Sequence, residues 1–149
     1  MCLILWSKIE PTETGAQLVL RGCSQRHPCP GCQVHDPHVG ILCGVERVLE
    51  LLEPYERIEI TGGEPFAQIG ALNQLVQYLD KAGKQVALRS CLYTLEDLQE
   101  MVDVDPYIAS ILYHATSLIA RDGTVTDLRQ PGLGLPAPEP ALATATIAT

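Results

Sequence analysis

Three cysteines fall within ten positions of the stretch RGCSQRHPCPGC, residues 21 to 32: Cys23, Cys29 and Cys32. Thiolates are soft ligands that select zinc, copper(I) or iron–sulfur clusters. Two metal chemistries fit this region. A tetrahedral zinc site could draw on Cys29, Cys32, His35 and His38, a cramped C-x2-C…H-x2-H arrangement that leaves Cys23 outside. A four-iron cluster held by the three cysteines alone would leave one iron open to a further ligand. The zinc reading predicts a closed structural site, whereas the cluster reading predicts an exogenous ligand and a pocket beside it.

A second motif, TGGEP at 61 to 65, bears on that choice. Adjacent glycines let a backbone approach a ligand closely and offer it N–H and C=O groups. The carboxylate of Glu64 could grip an ammonium. Such a loop suits an amino-acid moiety, although glycines also serve ordinary strand–helix turns.

Both motifs need elements to position them. The run AQLVLRG (16 to 22) reads as a buried strand delivering the cysteine segment, and RIEI (57 to 60) as a strand running directly into TGGEP. VERVLELL (45 to 52) repeats apolar residues at helical spacing and is closed by Glu53 and Pro54. QIGALNQLVQYLDKAG (68 to 83) predicts a second helix with Gly83 as its C-cap, and QVALRS (85 to 90) another strand. Thr94 with Asp97 starts a third helix in the manner of a capping box. The stretch 107 to 120 is apolar enough for either a helix or two strands. Strands alternating with helices indicate βαβ units and a parallel sheet covered by helices. Both motifs follow strands, so they should meet beyond the carboxyl ends of that sheet.

A chain of 149 residues with 46% hydrophobic residues is enough for one globular domain. We expect residues 1–129 to form it, and residues 130–149, rich in Pro, Gly, Ala and Thr, to be a disordered tail. A net charge of −8 argues against nucleic acid or an anionic membrane as partner. No run reaches the roughly 18 apolar residues that span a bilayer, and the N-terminus lacks the form of a secretory signal. A cytoplasmic location follows as an expectation, and cytosolic thiols more often bind metal than form disulfides. Cys2, Cys43 and Cys91 lie scattered among apolar residues and read as small buried hydrophobes.

Taken together, Cys23, Cys29 and Cys32, with Gly62, Gly63, Glu64 and Pro65 some thirty residues on, resemble the radical S-adenosylmethionine superfamily over roughly residues 13 to 100. The resemblance implies that the three cysteines hold a [4Fe–4S] cluster and that the GGEP loop contacts the methionine amine of S-adenosyl-L-methionine. It also implies reductive cleavage of that cofactor to a 5′-deoxyadenosyl radical. Within the superfamily, Gly15, the CPGC of 29 to 32 and ITGGEP are most similar to the activating proteins of anaerobic ribonucleotide reductase. That branch implies a minimal partial parallel (β/α) barrel, a large reductase subunit as the protein substrate on which a glycyl radical forms, and an electron donor such as flavodoxin. Three features depart from the pattern: C-x5-C-x2-C spacing in place of C-x3-C-x2-C, Gly31 where larger members carry an aromatic, and no glycine-rich, Asn-containing motif after Pro106. Two alternatives stay open, a radical S-adenosylmethionine enzyme acting on a small molecule or modified nucleobase, and a non-catalytic zinc- or cluster-binding adaptor.

Other polar residues carry lesser expectations. Arg89 and Ser90, at a strand end, should face the cluster side, with Ser90 a candidate for cofactor contact. His27 reads as a solvated loop residue, and His114 as a satisfied core histidine. Trp6 and Tyr93 read as packing residues.

Overall fold

The computed structural model describes residues 2–21, 40–130 and 132–133. Among these residues seven strands, four α-helices and one 3-10 turn form a mixed α/β structure around a seven-stranded sheet. In chain order the elements are β1 (Leu3–Pro11), β2 (Ala16–Leu20), β3 (Ile41–Gly44), α1 (Val45–Leu52), β4 (Arg57–Gly62), the 3-10 turn Pro65–Gln68, α2 (Ile69–Lys81), β5 (Gln85–Arg89), α3 (Leu95–Met101), α4 (Pro106–His114), β6 (Ser117–Ile119) and β7 (Val125–Asp127).

Strand order is β3-β1-β2-β4-β5-β6-β7. The central run β2-β4-β5-β6 is parallel, as alternating strands and helices require, while β1, β3 and β7 join antiparallel. The expectation of an α/β fold with a parallel core holds. The barrel does not follow from it: the described strands form an open ladder whose outer members are antiparallel additions.

Alternation along each strand divides the sheet into two unlike faces. Ile4, Trp6, Leu18, Leu20, Ile58, Ile60, Val86, Leu88 and Leu118 all point to one side, where they meet α1 through Val48, α2 through Leu72 and Leu75, α3 through Leu98 and α4 through Ile111. Burying this face supplies most of the drive to fold, at ~25 cal/mol per Å² of apolar surface removed from water. The opposite face carries Gln17, Val19, Glu59, Thr61, Ala87 and Arg89, and none of these belongs to the core. Among the described residues no helix is long and apolar enough to cross a membrane.

Local chemistry sets the helix ends. Thr94 and Asp97 form the full reciprocal capping box of α3, and the backbone and hydroxyl of Thr94 hold the Asp97 carboxyl below its ordinary value. The ambiguous stretch 107 to 120 divides into a helix and a short strand. Asp105 caps α4 through the Tyr107 N–H, Pro106 takes the first turn, and Ser117–Ile119 then pairs with β5.

His114, at the end of α4, is half-buried. Its Nδ1 donates to Asp80 Oδ2 of α2 at 2.7 Å, and Arg129 donates to Asp80 Oδ1 at 2.8 Å. Burial pushes the Asp80 carboxyl up, but the hydrogen bonds from His114 and Arg129 and the Arg129 guanidinium charge outweigh it and hold the group below its ordinary value. A carboxyl whose folded pKa is depressed stabilises the fold fully above its unfolded value and loses that contribution as pH falls through the folded value. Asp80→Asn is therefore expected to lower the thermal midpoint at pH 7 and to converge with the parent in acid, once the pH has fallen below the depressed folded value. An equal gap at both pH values would show that the ion cluster is not the cause.

Candidate cofactor site

The carboxyl end of β4 runs into Gly62, Gly63, Glu64 and Pro65, beside the carboxyl end of β2. Gly62 has φ +115°, and a Cβ on it would stand 2.1 Å from the Leu20 carbonyl oxygen. The next N–H, of Gly63, donates to that same oxygen at 3.4 Å. Two residues beyond Leu20 the segment bearing Cys23, Cys29 and Cys32 begins. Those cysteines, with His27, His35 and His38, lie outside the described residues. The two ends of the segment do meet: at Gly40 a Cβ would touch Arg21 Cγ and the Trp6 carbonyl, each at 3.1 Å. Arg21 and Gly40, the described residues that flank this segment, thus lie together at one point of the sheet, next to the turn that follows the GGEP loop.

Gln68 fixes this junction. Its Oε1 accepts from Leu5 N–H at 2.8 Å, while its Nε2 donates to the carbonyls of Leu5 and Arg21 at 2.8 and 2.9 Å. One amide side chain thereby ties the turn after GGEP to β1 and to the last described residue before the cysteines. No sequence signal marks it, because its partners are backbone atoms some fifty to sixty residues away. Gln68→Ala is expected to cost about 2–3 kcal/mol, at ~1 kcal/mol for each of three hydrogen bonds. Its urea midpoint should fall; a midpoint equal to the parent's would remove Gln68 from this role.

Glu64 behaves differently from the sequence expectation of a carboxylate offered to an ammonium. It is fully buried. Its Oε1 accepts from the Ser90 hydroxyl at 2.6 Å, from Leu92 N–H at 2.8 Å and from Cys91 N–H at 3.1 Å, and its Oε2 accepts from Phe66 N–H at 3.1 Å. Four donors of the chain occupy it. The carboxylate caps the Pro65–Gln68 turn and clamps the segment after β5 to the segment after β4. Ser90 is likewise engaged: its Oγ donates to Glu64 and accepts from Tyr93 N–H at 3.0 Å, and its N–H donates to the Ile119 carbonyl. Buried Pro65 supports the same turn, and Phe66 meets Tyr93 edge-on at 6.1 Å between ring centres.

These contacts reassign the parts of the loop. Glu64 and Ser90 brace it from behind, their polar atoms engaged by donors and acceptors of the chain itself. Cys91, expected to be buried, is exposed, with Sγ 3.6 Å from the Gly62 carbonyl. Cys2 and Cys43 are half-buried, and Cys43 Sγ accepts from the Trp6 indole N–H at 3.2 Å. Among the described residues no group of three His, Cys, Asp or Glu side chains could hold a metal ion.

Comparison with known proteins places these features in a family. Residues 14–119, well over half of the chain, match the 4Fe-4S single cluster domain family. A stretch of 76 residues is 38% identical to the 7-carboxy-7-deazaguanine synthase of Hyperthermus butylicus, covering 48% of this chain and 32% of that protein. The chain therefore spans about a third of the length of this curated relative.

Proposed function

The chain belongs to the 4Fe-4S single cluster domain family, and from that premise we propose that it is a radical S-adenosylmethionine protein. Cys23, Cys29 and Cys32 hold the cluster, and Gly62 and Gly63 meet S-adenosyl-L-methionine through their backbone. The observation that carries this reading is the lock between the GGEP loop and Leu20, which sets the loop beside the exit to the cysteine segment. A cluster held by these cysteines would, once reduced by a donor such as flavodoxin, supply the electron for reductive cleavage of bound S-adenosyl-L-methionine to methionine and a 5′-deoxyadenosyl radical. The chain's own groups provide position: Glu64 and Ser90 hold the loop rigid, and Gln68 holds its distance from β2.

Likeness to 7-carboxy-7-deazaguanine synthase favours a small heterocyclic substrate, an option the sequence had left open. Action on an anaerobic ribonucleotide reductase rests on the likeness of Gly15, the CPGC of 29 to 32 and ITGGEP to that branch. The comparisons lend that reading no support, so the small-molecule reading stands first.

Anaerobic reconstitution with iron and sulfide is expected to give a brown four-iron protein that, with dithionite and S-adenosyl-L-methionine, releases 5′-deoxyadenosine. Cys29→Ala should lose the cluster and the release together. A chain that takes up zinc but no iron would falsify the proposal in favour of an adaptor, and full cluster content in Cys29→Ala would show that the ligands are other residues.

A further inference from the structure

Between α3 and the β6–β7 hairpin lies a cavity of about 450 Å³, within the size range of sites that take small molecules. All the residues that line it are among those described, and none belongs to the cysteine segment or to the GGEP loop. Ala120 follows the last residue of β6, a strand parallel to β5, so the cavity stands at the carboxyl edge of the sheet, two strands from β4. That is the edge at which ligands gather in open α/β sheets. A chain of hydrogen bonds joins its wall to the clamp behind the cofactor loop: Arg121 N–H donates to the Tyr93 carbonyl at 3.0 Å, Tyr93 N–H to Ser90 Oγ at 3.0 Å, and that hydroxyl to Glu64.

The polar groups of the lining that are already engaged decide what the cavity can hold. Thr94 Oγ1 is committed to the α3 capping box, and Gln99 Nε2 donates to the Leu133 carbonyl at 3.1 Å. Asp122 Oδ1 accepts from Thr124 N–H at 3.0 Å, and this bond, with the Thr124 hydroxyl, holds the Asp122 carboxyl below its ordinary value. Among the described residues, the Glu96 carboxylate, Gln99 Oε1 and the Thr126 hydroxyl have no partner, and a carboxylate such as Asp122 keeps lone pairs beyond those its own turn uses. The surplus is therefore one of acceptors. Leu95, Ala120 and Leu133 supply the apolar part of the wall. No Lys, Arg, His or aromatic side chain lines the cavity, and the Arg121 guanidinium acts on Asp122 from outside the lining. A phosphate or carboxylate would find no cation there, and a flat ring no stacking partner.

We infer that this cavity is a binding site for a small aliphatic organic cation, its ammonium received by Glu96 and Asp122 and its methylene body laid against Leu95, Ala120 and Leu133. An ammonium carries three donors and no acceptor, the complement of the surplus in the lining. Its bonds to the two carboxylates are charge-assisted, and a recess walled by one sign of charge concentrates ions of the other. Glu96 and Asp122 are exposed while Ala120 is buried, so the charged end of the ligand lies outward and its apolar body inward. An occupant would tie α3 to the hairpin and so bear on the segment from Ser90 to Thr94 that holds Glu64. The inference does not depend on the cofactor chemistry proposed above.

The test is titration of the full chain with 1,4-diaminobutane, 1,4-butanediol and succinate, three four-carbon probes with cationic, neutral and anionic ends, followed by ¹H–¹⁵N correlation spectra. Diaminobutane should shift the amides of Leu95, Glu96, Ala120 and Asp122 saturably, with at least tenfold higher affinity than butanediol, and succinate should leave them in place. Glu96→Gln and Asp122→Asn should each weaken diaminobutane at least fivefold. Both side chains are exposed, so the variants keep the fold, and parent-like spectra away from the cavity check this. Glu100→Gln, an exposed carboxylate of the same helix outside the lining, should bind as the parent does. Equal affinity for diaminobutane and butanediol overturns the inference. So does a loss in Glu100→Gln as large as that in Glu96→Gln, which would reduce the effect to surface charge, or a set of shifted amides that misses the cavity.

Discussion

Glu64→Ala is expected to lower the free energy of unfolding by about 4 kcal/mol and to weaken S-adenosyl-L-methionine binding with it. The side chain is fully buried and accepts from four donors, three of them backbone N–H groups. Removing the acceptor orphans those donors at ~1–3 kcal/mol each, offset in part where water enters the vacated space. Glu64→Gln should fall between. Its amide keeps one oxygen for the Ser90, Cys91 and Leu92 cluster but turns an NH2 toward Phe66 N–H, so one donor faces another. Urea unfolding of the three proteins measures the order Glu, Gln, Ala. Were Glu64→Ala to unfold within about 1 kcal/mol of the parent, the clamp would not be structural and the carboxylate would return to its sequence role as a grip for ligand ammonium.

Gly62→Ala is the second large effect. The residue adopts φ +115°, which a side chain disfavours, and its new Cβ would meet the Leu20 oxygen at 2.1 Å and nitrogen at 2.5 Å. Both contacts are to the backbone of a central strand, so no rotamer change relieves them. Strain of roughly 1–3 kcal/mol joins overpacking of roughly 1–3 kcal/mol, a sizeable part of the ~5–15 kcal/mol that holds a domain together. Gly123→Ala separates the two causes. It has φ +86° with nothing within 4 Å of the new Cβ, so it should lose only the strain contribution. Equal losses at the two positions would mean that close approach to β2 plays no part. Cofactor binding should suffer in Gly62→Ala alone, because only that position carries the lock between the two loops.

Much of the fold could be read in the residues themselves. VERVLELL forms α1 over Val45–Leu52 as its spacing predicts, and the strands expected at 16 to 22, 57 to 60 and 85 to 90 appear as β2, β4 and β5 within two residues. Thr94 and Asp97 cap α3 because the capping box is local, needing only residues three apart. The sheet edges were not legible. LILWSKIEP, ILCG and VTD become strands through antiparallel partners that their own patterns do not name, and β3 reaches β1 from some forty residues away. The partial barrel, which the family resemblance implied, is not confirmed among the described residues, whose strands form an open ladder. Alternation dictates parallel neighbours and says nothing about how the outer strands end the sheet.

The site divides along a similar line. The kind of chemistry lay in composition at short range: three thiols in ten residues and two glycines before Glu-Pro, placed after strands, point to a cluster and a cofactor loop wherever the chain folds as βαβ. Which atoms of that loop remain free was decided only in three dimensions. Glu64 meets Ser90, Cys91 and Leu92 across twenty-six to twenty-eight residues, and Gln68 meets Leu5 across sixty-three, so their hydrogen bonds are consequences of strand adjacency rather than of any motif. The cavity that sets Leu95 and Glu96 beside Ala120 and Asp122 is likewise invisible along the chain, because packing of α3 against the β6–β7 hairpin creates it. Sequence alone determined the reactive groups and the periods that bury one face of each element. Tertiary structure decided which polar groups saturate one another and which stay open to a ligand, because each hydrogen bond commits a donor or acceptor that cannot then serve another.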